Sequence, residues 1–206
     1  MAPKIAIVYY SMYGHIKQLA MAEAKGIKEA GGSVDMYQIP ETLPAEVLQK
    51  MYAAPKDTSI TTIDDPKVLE QYDGVLFGIP TRYGNFPAQW KAFLDKTGGQ
   101  WQSGAFWGKY AGLFVSTGTQ GGGQESTAIA AMSTLVHHGF IYVPLGYKTT
   151  FALWRICPRS VAAALGALGL SPQETAPVNR AQRSSNSQRS KVMLSTRPLP
   201  RSTSRD

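Results

Sequence analysis

At 206 residues, 43% of them hydrophobic and 17% charged, the chain is long enough for one sizeable core and ordinary in composition for a globular domain. Its single cysteine, Cys157, excludes an internal disulfide framework and suits a reducing, cytoplasmic setting, and no apolar run approaches the roughly 20 residues of a membrane span. The net charge of +7 belongs wholly to the end of the chain. Residues 1–153 carry 12 basic and 12 acidic side chains and residues 154–206 carry 9 and 2, so the body offers no basic face to nucleic acid.

Residues 5–10, IAIVYY, form a short β-branched and aromatic run that predicts a buried strand, broken by the polar loop Ser11-Met12-Tyr13-Gly14-His15. Ile16, Leu19, Ala20 and Ile27 then recur at helical spacing until Gly31-Gly32. Residues 33–39 alternate and meet Pro40, which predicts a second, more edge-like strand. A looser insert spans 41–66, with one short helix over 41–51 and a second begun by Asp65-Pro66. Residues 74–80 are apolar on both faces and predict an internal third strand. An amphipathic helix over 87–96 is expected to stop at Gly98-Gly99. A fourth strand over 110–116, a helix over 125–138 and a fifth strand over 140–145 complete the alternation. Such alternation predicts a doubly wound α/β fold, with a five-stranded parallel sheet in the order 2-1-3-4-5 or the dinucleotide-binding order.

In an open sheet of this kind, ligands sit beyond the carboxyl ends of the strands where the strand order reverses. For 2-1-3-4-5 those ends carry SMYGHI (11–16), PTRYGNF (80–86) and STGTQGGGQE (116–125). The first loop precedes a helix N-terminus, where free amides and the helix dipole favour an anion, and Gly14 permits close backbone approach. It lacks the patterns of triphosphate and dinucleotide loops, so it predicts either one phosphate monoester or simply a well-capped helix. Thr81, Arg82, Tyr83, Gly84 and Asn85 offer backbone donors, a guanidinium and an aromatic face, and the glycine-rich third loop suits closure over a flat ligand. One phosphate site beside two loops able to line a planar ring points to flavin mononucleotide (FMN). No third ligand accompanies His137-His138, which argues against a metal and leaves a helix C-cap as the plain reading of that pair. Trp90, Trp101 and Trp107 are large apolar residues of the kind that fill cores and interfaces.

The motifs YYSMYGH, FGIPTRYGN, FLDKTGGQW, GAFWGK, VSTGT–GGGQE and HHG-x-x-x-V-P-LGY together resemble the WrbA-like, type IV NAD(P)H:quinone oxidoreductases, in particular the fungal members, some of them described as mould allergens. The resemblance covers residues 1 to about 150 and implies a flavodoxin-like fold with FMN as cofactor, NAD(P)H as co-substrate and a quinone as acceptor. Ordinary flavodoxins share that fold without the TRYGN and GGGQE loops. Carried over, the resemblance places the phosphate on Ser11, Met12, Tyr13, Gly14, His15 and Ile16. It places the ring against Thr81, Arg82 and Tyr83, with Ser116, Thr117, Gly118, Thr119, Gln120 and Gly121 as a third wall. His137 is expected to reach the flavin from its helix end, Tyr13 to meet the nicotinamide, and Trp101 to border the quinone. No side chain is an obligatory nucleophile. A homodimer or homotetramer is implied, with neighbours contributing to each site and the 41–66 insert, Phe106 and Trp107 available for contacts. The alternative is a non-catalytic, flavodoxin-like electron carrier or regulatory FMN-binding protein.

After Lys148 the pattern stops, and residues 176–206 are Ser/Arg/Pro-rich without an aromatic residue, a composition expected to stay disordered. The family resembled continues instead with E-V-R-G-G, W-G-A-G and G-D-G-S-R-Q-P-S segments and a closing helix. Residues 158–163 (PRSVAA), 164–169 (ALGALG) and 173–179 (QETAPVN) can be encoded so that one shifted frame yields EVRGG, AWG and GDGSRQ in that order. The 154–206 tail is therefore expected to be a frameshift beginning near Leu153 or Trp154, which would leave the chain without its final helix.

Overall fold

The computed structural model describes residues 2–119, 121–146 and the short strand 168–170; Gln120 and nearly all of the 154–206 tail lie outside the described residues. In chain order the elements are β1 (Lys4–Tyr9), α1 (His15–Glu29), β2 (Ser33–Gln38), α2 (Ala45–Lys50), β3 (Thr61–Thr62), β4 (Gly74–Pro80), α3 (Ala88–Leu94), α4 (Gly98–Ser103), β5 (Tyr110–Ser116), α5 (Gln124–His138), β6 (Ile141–Tyr142) and β7 (Leu168–Leu170). Short 3-10 helices occupy Pro66–Gln71 and Asp95–Thr97.

The strands form one sheet in the order β3-β2-β1-β4-β5-β6, every pairing parallel. Its centre is the expected 2-1-3-4-5 arrangement. Two short strands were not anticipated. β3 extends the β2 edge from within the insert, and β7 pairs with β5 at Phe114, Val115 and Ser116, further along the edge that β6 occupies at Tyr110 and Ala111. The fifth strand is correspondingly shorter than the expected 140–145: only Ile141 and Tyr142 pair, although the Val143 amide still donates to the Ala111 carbonyl at 2.8 Å.

Strand parity decides the two cores. Ala6, Val8 and Tyr10, with Val75, Phe77 and Ile79 and with Ala111, Leu113 and Val115, face α3 and α5, which contribute Trp90, Phe93, Ala128, Ala131 and Leu135. Trp90 is fully buried, and its indole donates to the Gly78 carbonyl at 2.9 Å; truncating such a residue to alanine costs about 3–5 kcal/mol. The opposite face presents Ile7, Tyr9 and Phe114 to Ile16, Leu19, Ala20 and Ala24 of α1. Gly78 belongs to this face because a Cβ there would lie 2.6 Å from the Phe114 ring and from Tyr9 Cβ. Towards β6 the same face leaves Tyr110, Ile141 and Val143 about half exposed, since α1 is the helix that covers it among the described residues.

Two local expectations are corrected. The expected helix ends at Leu94, but the chain does not leave helical backbone at Gly98-Gly99: a 3-10 turn over Asp95–Thr97 leads into α4, which starts at a right-handed Gly98 (φ −58°, ψ −37°) and runs to Ser103 before Gly104 turns left-handed. Glycine tolerates αR like any residue, so a pair of glycines is a stop signal only where the chain has nothing to pack beyond it. Phe106 is not an exposed contact residue; it is buried and stacked on Phe140 with centroids 5.4 Å apart, whereas Trp107 is 79% exposed.

Candidate active site

β1 ends at Tyr9, and the chain crosses the carboxyl edge of the sheet as the 10–14 loop before α1. Gly14 caps that helix with φ +86°, a conformation in which L side chains are strained. No side chain caps the helix and no acidic residue occupies its first turn. The Gln18 amide returns to the Gly14 carbonyl at 3.0 Å, and the Lys17 amide reaches Ser11 Oγ at 3.4 Å. The amides of Met12, Tyr13, Gly14, His15 and Ile16 have no acceptor among the described residues. Five unpaired donors on the positive end of a helix dipole make a cradle for an oxyanion. The phosphate of FMN suits that donor set.

The other two walls come from β4 and β5. The Thr81 amide donates to the Ser116 carbonyl at 2.9 Å, which binds the second loop to the third. Arg82 and Asn85 exchange backbone hydrogen bonds at 3.0 and 3.1 Å, and the tight turn between them holds Tyr83 left-handed (φ 53°) and fully exposed. The Arg82 guanidinium folds back onto the Thr81 carbonyl at 3.0 Å and Met12 Sδ at 3.7 Å. In the third loop the Thr117 hydroxyl donates to the Thr119 carbonyl at 2.7 Å, which also receives Gln124 Nε2 and the Gly122 amide.

These walls enclose a cleft of about 190 Å3 lined by Ser11, Met12, Tyr13, His15, Ile16, Pro80, Thr81, Arg82, Ser116, Thr117 and Gly118. Ten of the expected cofactor-binding residues thus converge, and Pro80 joins them unanticipated. Gly14, Tyr83, Gly84, Asn85, Thr119 and Gly121 sit on the same three loops but outside the lining, and Gln120 is outside the described residues. The lining holds Arg82 and no carboxylate; burial lowers the pKa of His15, which keeps its ring neutral near pH 7. The cleft is smaller than the roughly 300 Å3 at which small-molecule pockets begin, and Tyr13 and Tyr83 of the same loops stand exposed.

His137 and Trp101 are not brought to this cleft. α5 starts beside it at Gln124 and descends about 20 Å along the sheet. At its far end His138 Nε2 pairs with Thr97 Oγ1 at 2.9 Å, and the Gly108 amide donates to the Gly139 carbonyl. Trp101, 61% exposed on α4, belongs to that opposite end. Sequence reasoning also missed the brace behind the first loop. The Ala54 amide donates to the Met12 carbonyl at 2.9 Å, the Tyr13 hydroxyl donates to the Met51 carbonyl at 3.3 Å, and Lys17 Nζ pairs with Asp57 at 2.5 Å. No motif marks those residues, because they act through backbone and long-range pairing.

The family model for NADPH-dependent FMN reductases matches residues 3–150. The chain belongs to that family. FMN is the cofactor of this reductase fold and NAD(P)H its reductant, so the chemistry is oxidoreduction between nicotinamide and flavin. Minor allergen Alt a 7 of Alternaria alternata is 74% identical over 153 residues, 74% of this chain and 75% of that protein. NAD(P)H quinone oxidoreductase PST3 of Candida albicans is 58% identical over 153 residues, 74% of this chain and 76% of that one. Among solved structures, the WrbA-like flavodoxin of Agrobacterium tumefaciens superposes with a TM-score of 0.52 at 26% identity, covering 71% and 80% of the two chains. The family relationship and the flavodoxin-like fold agree with the five-amide cradle. Among the described residues, no group of histidine, cysteine and carboxylate side chains is placed to hold a metal, and no helix is long and apolar enough to cross a membrane.

Proposed function

We propose that the protein is an FMN-dependent NAD(P)H:quinone oxidoreductase that uses one open face for both substrates in turn, a ping-pong cycle, in the cytoplasm. The observation that carries the flavin site is the set of unpaired amides from Met12 to Ile16, in a cleft whose lining holds an arginine and no carboxylate. The quinone acceptor follows from the Candida relative named for that activity.

Bound FMN supplies a ring that accepts a hydride from NAD(P)H and passes two electrons to the acceptor. The protein's part is orientation and electrostatics. The 12–16 amides and the α1 dipole hold the phosphate, the Thr81–Arg82 edge and Ser116–Gly118 fix the ring's approach, and Arg82 favours the negative charge that reduction brings. Tyr13, 47% exposed, and Tyr83 offer aromatic faces to the nicotinamide at the mouth of the cleft. His137 and Trp101 serve the cleft of a neighbouring copy, which makes a homodimer or homotetramer the working unit.

The test is purified protein reconstituted with FMN, assayed for NADH oxidation with and without benzoquinone. Quinone-dependent oxidation with parallel double-reciprocal lines is the expected result. A yellow, reconstituted protein that oxidises no NADH when quinone is added would leave the cofactor in place and make the protein an electron carrier.

A further inference from the structure

Behind the first loop lies a second cavity of about 150 Å3, lined by Ser11, Met12, Glu41, Gln49, Ala54 and Lys56 among others. Ser11 and Met12 belong to both cavities, so a single stretch of loop separates the cofactor cleft from this space. The Glu41 carboxylate within it is saturated with donors: the Tyr10 hydroxyl at 2.8 Å on one oxygen, and the Thr42 amide, Leu43 amide and Gln89 Nε2 at 2.9, 3.2 and 2.9 Å on the other. Burial opposes its charge, but these donors more than offset that, and the group stays below the usual carboxylate range. A fixed negative charge therefore stands one loop away from the place where a phosphate dianion docks.

Lys56 answers that charge. Its Nζ lies 3.8 Å from Glu41 Oε2 and 4.2 Å from the centroid of the Tyr10 ring, is buried, and makes no hydrogen bond among the described residues. Only charge holds it there. Uncompensated, such a carboxylate would repel the phosphate: like charges about 10 Å apart, at the effective dielectric near 20 that suits protein sites, weaken binding roughly tenfold per unit charge. We infer that Lys56 is a positioning residue for the cofactor phosphate: its buried ammonium neutralises Glu41 behind the 11–14 loop, so that the free amides in front accept a dianion.

This role rests on the phosphate reading of the 11–16 loop, and riboflavin, which lacks the phosphate, separates the two. Dissociation constants for FMN and riboflavin are measured on the full chain by flavin fluorescence for wild type, K56M, K56R and E41Q/K56M, with thermal unfolding of each apoprotein. K56M is expected to weaken FMN about tenfold to a hundredfold, for one to two units of phosphate charge, and riboflavin less than twofold. K56R should hold both values, and E41Q/K56M should recover most of the FMN preference by removing the charge that Lys56 cancels. An equal loss of both ligands in K56M, or an unchanged FMN-to-riboflavin ratio, overturns the inference and leaves Lys56 a scaffold residue. A wild-type protein that binds FMN no better than riboflavin overturns the phosphate reading itself, and this role with it.

Discussion

The hydroxyls of Thr81 and Thr127 meet at 2.7 Å, joining the second cleft loop to the helix that follows the third. Thr127 already donates its proton to the Gly123 carbonyl at 2.7 Å, so Thr81, which lines the cleft, is the donor of the pair. T127V removes the acceptor and frees that proton. Stability should fall by about 1–2 kcal/mol, the usual cost of losing two hydrogen bonds, and FMN affinity should fall several-fold. Urea unfolding of the apoprotein and flavin titration check both; an FMN constant equal to wild type would detach this pair from the site.

Gly14 tests the cradle without touching a side chain. A Cβ there meets no atom within 4 Å, so any penalty of G14A comes from the left-handed backbone alone, about 1–2 kcal/mol. The apoprotein should lose that much stability, and FMN binding should weaken more than riboflavin binding. Equal losses for the two ligands would count against phosphate capture by this loop.

His138 sets a pH dependence. Burial, and then the neighbouring His137 charge, lower its pKa below the ordinary 6.5, and its Nδ1 is buried without a hydrogen-bond partner among the described residues, in a ring that meets both Phe106 and Phe140 edge to face. The unfolded chain therefore binds protons more readily than the folded one just below pH 6.5. The contribution is complete above that value and is lost as pH falls towards the depressed folded pKa. The Tm should drop on acidification from pH 7 to 5, and H138Q should flatten part of that slope. Some slope should persist, because the His15 pKa is lowered in the same sense. A steeper slope in H138Q would refute the assignment.

Subunit sharing is testable by mixing. A phosphate-loop variant such as G14V and W101A should each be poorly active alone. Random pairing into dimers leaves about a quarter of the sites with an intact cleft and an intact tryptophan from the partner. Co-refolded mixtures should therefore regain about a quarter of the wild-type quinone reductase rate. No gain over the separate variants would confine each site to one chain.

The half-exposed Tyr110, Ile141 and Val143 on the α1 side of the sheet bear on the tail. A one-base correction of the coding DNA near codon 153 is expected to restore a helix over that face. It should raise the Tm by roughly 5 °C, equivalent to about 1–2 kcal/mol for a chain of this size, and lower binding of a hydrophobic dye. Sequencing of the gene and an intact mass of the natural protein decide whether the shifted frame exists.

What the sequence determined by itself was the local order: alternating strands and helices, and three loops rich in glycine, hydroxyls and arginine at the strand ends. Period and turn chemistry act over a few residues, and parallel βα units then leave few ways to arrange the sheet, so Ser11–Ile16, Thr81–Arg82 and Ser116–Gly118 converge as anticipated. Tertiary structure alone decided which signals prevailed. It carried α4 through Gly98-Gly99, buried Phe106 against Phe140, and placed Trp101 and His137 at the end of the sheet away from the cleft. It also turned the 41–66 insert into a brace, through Ala54 on Met12, Asp57 on Lys17 and Lys56 beside Glu41. Those outcomes depend on neighbours many residues away, and whether a side chain is covered, or a charge answered, is settled only when the elements pack.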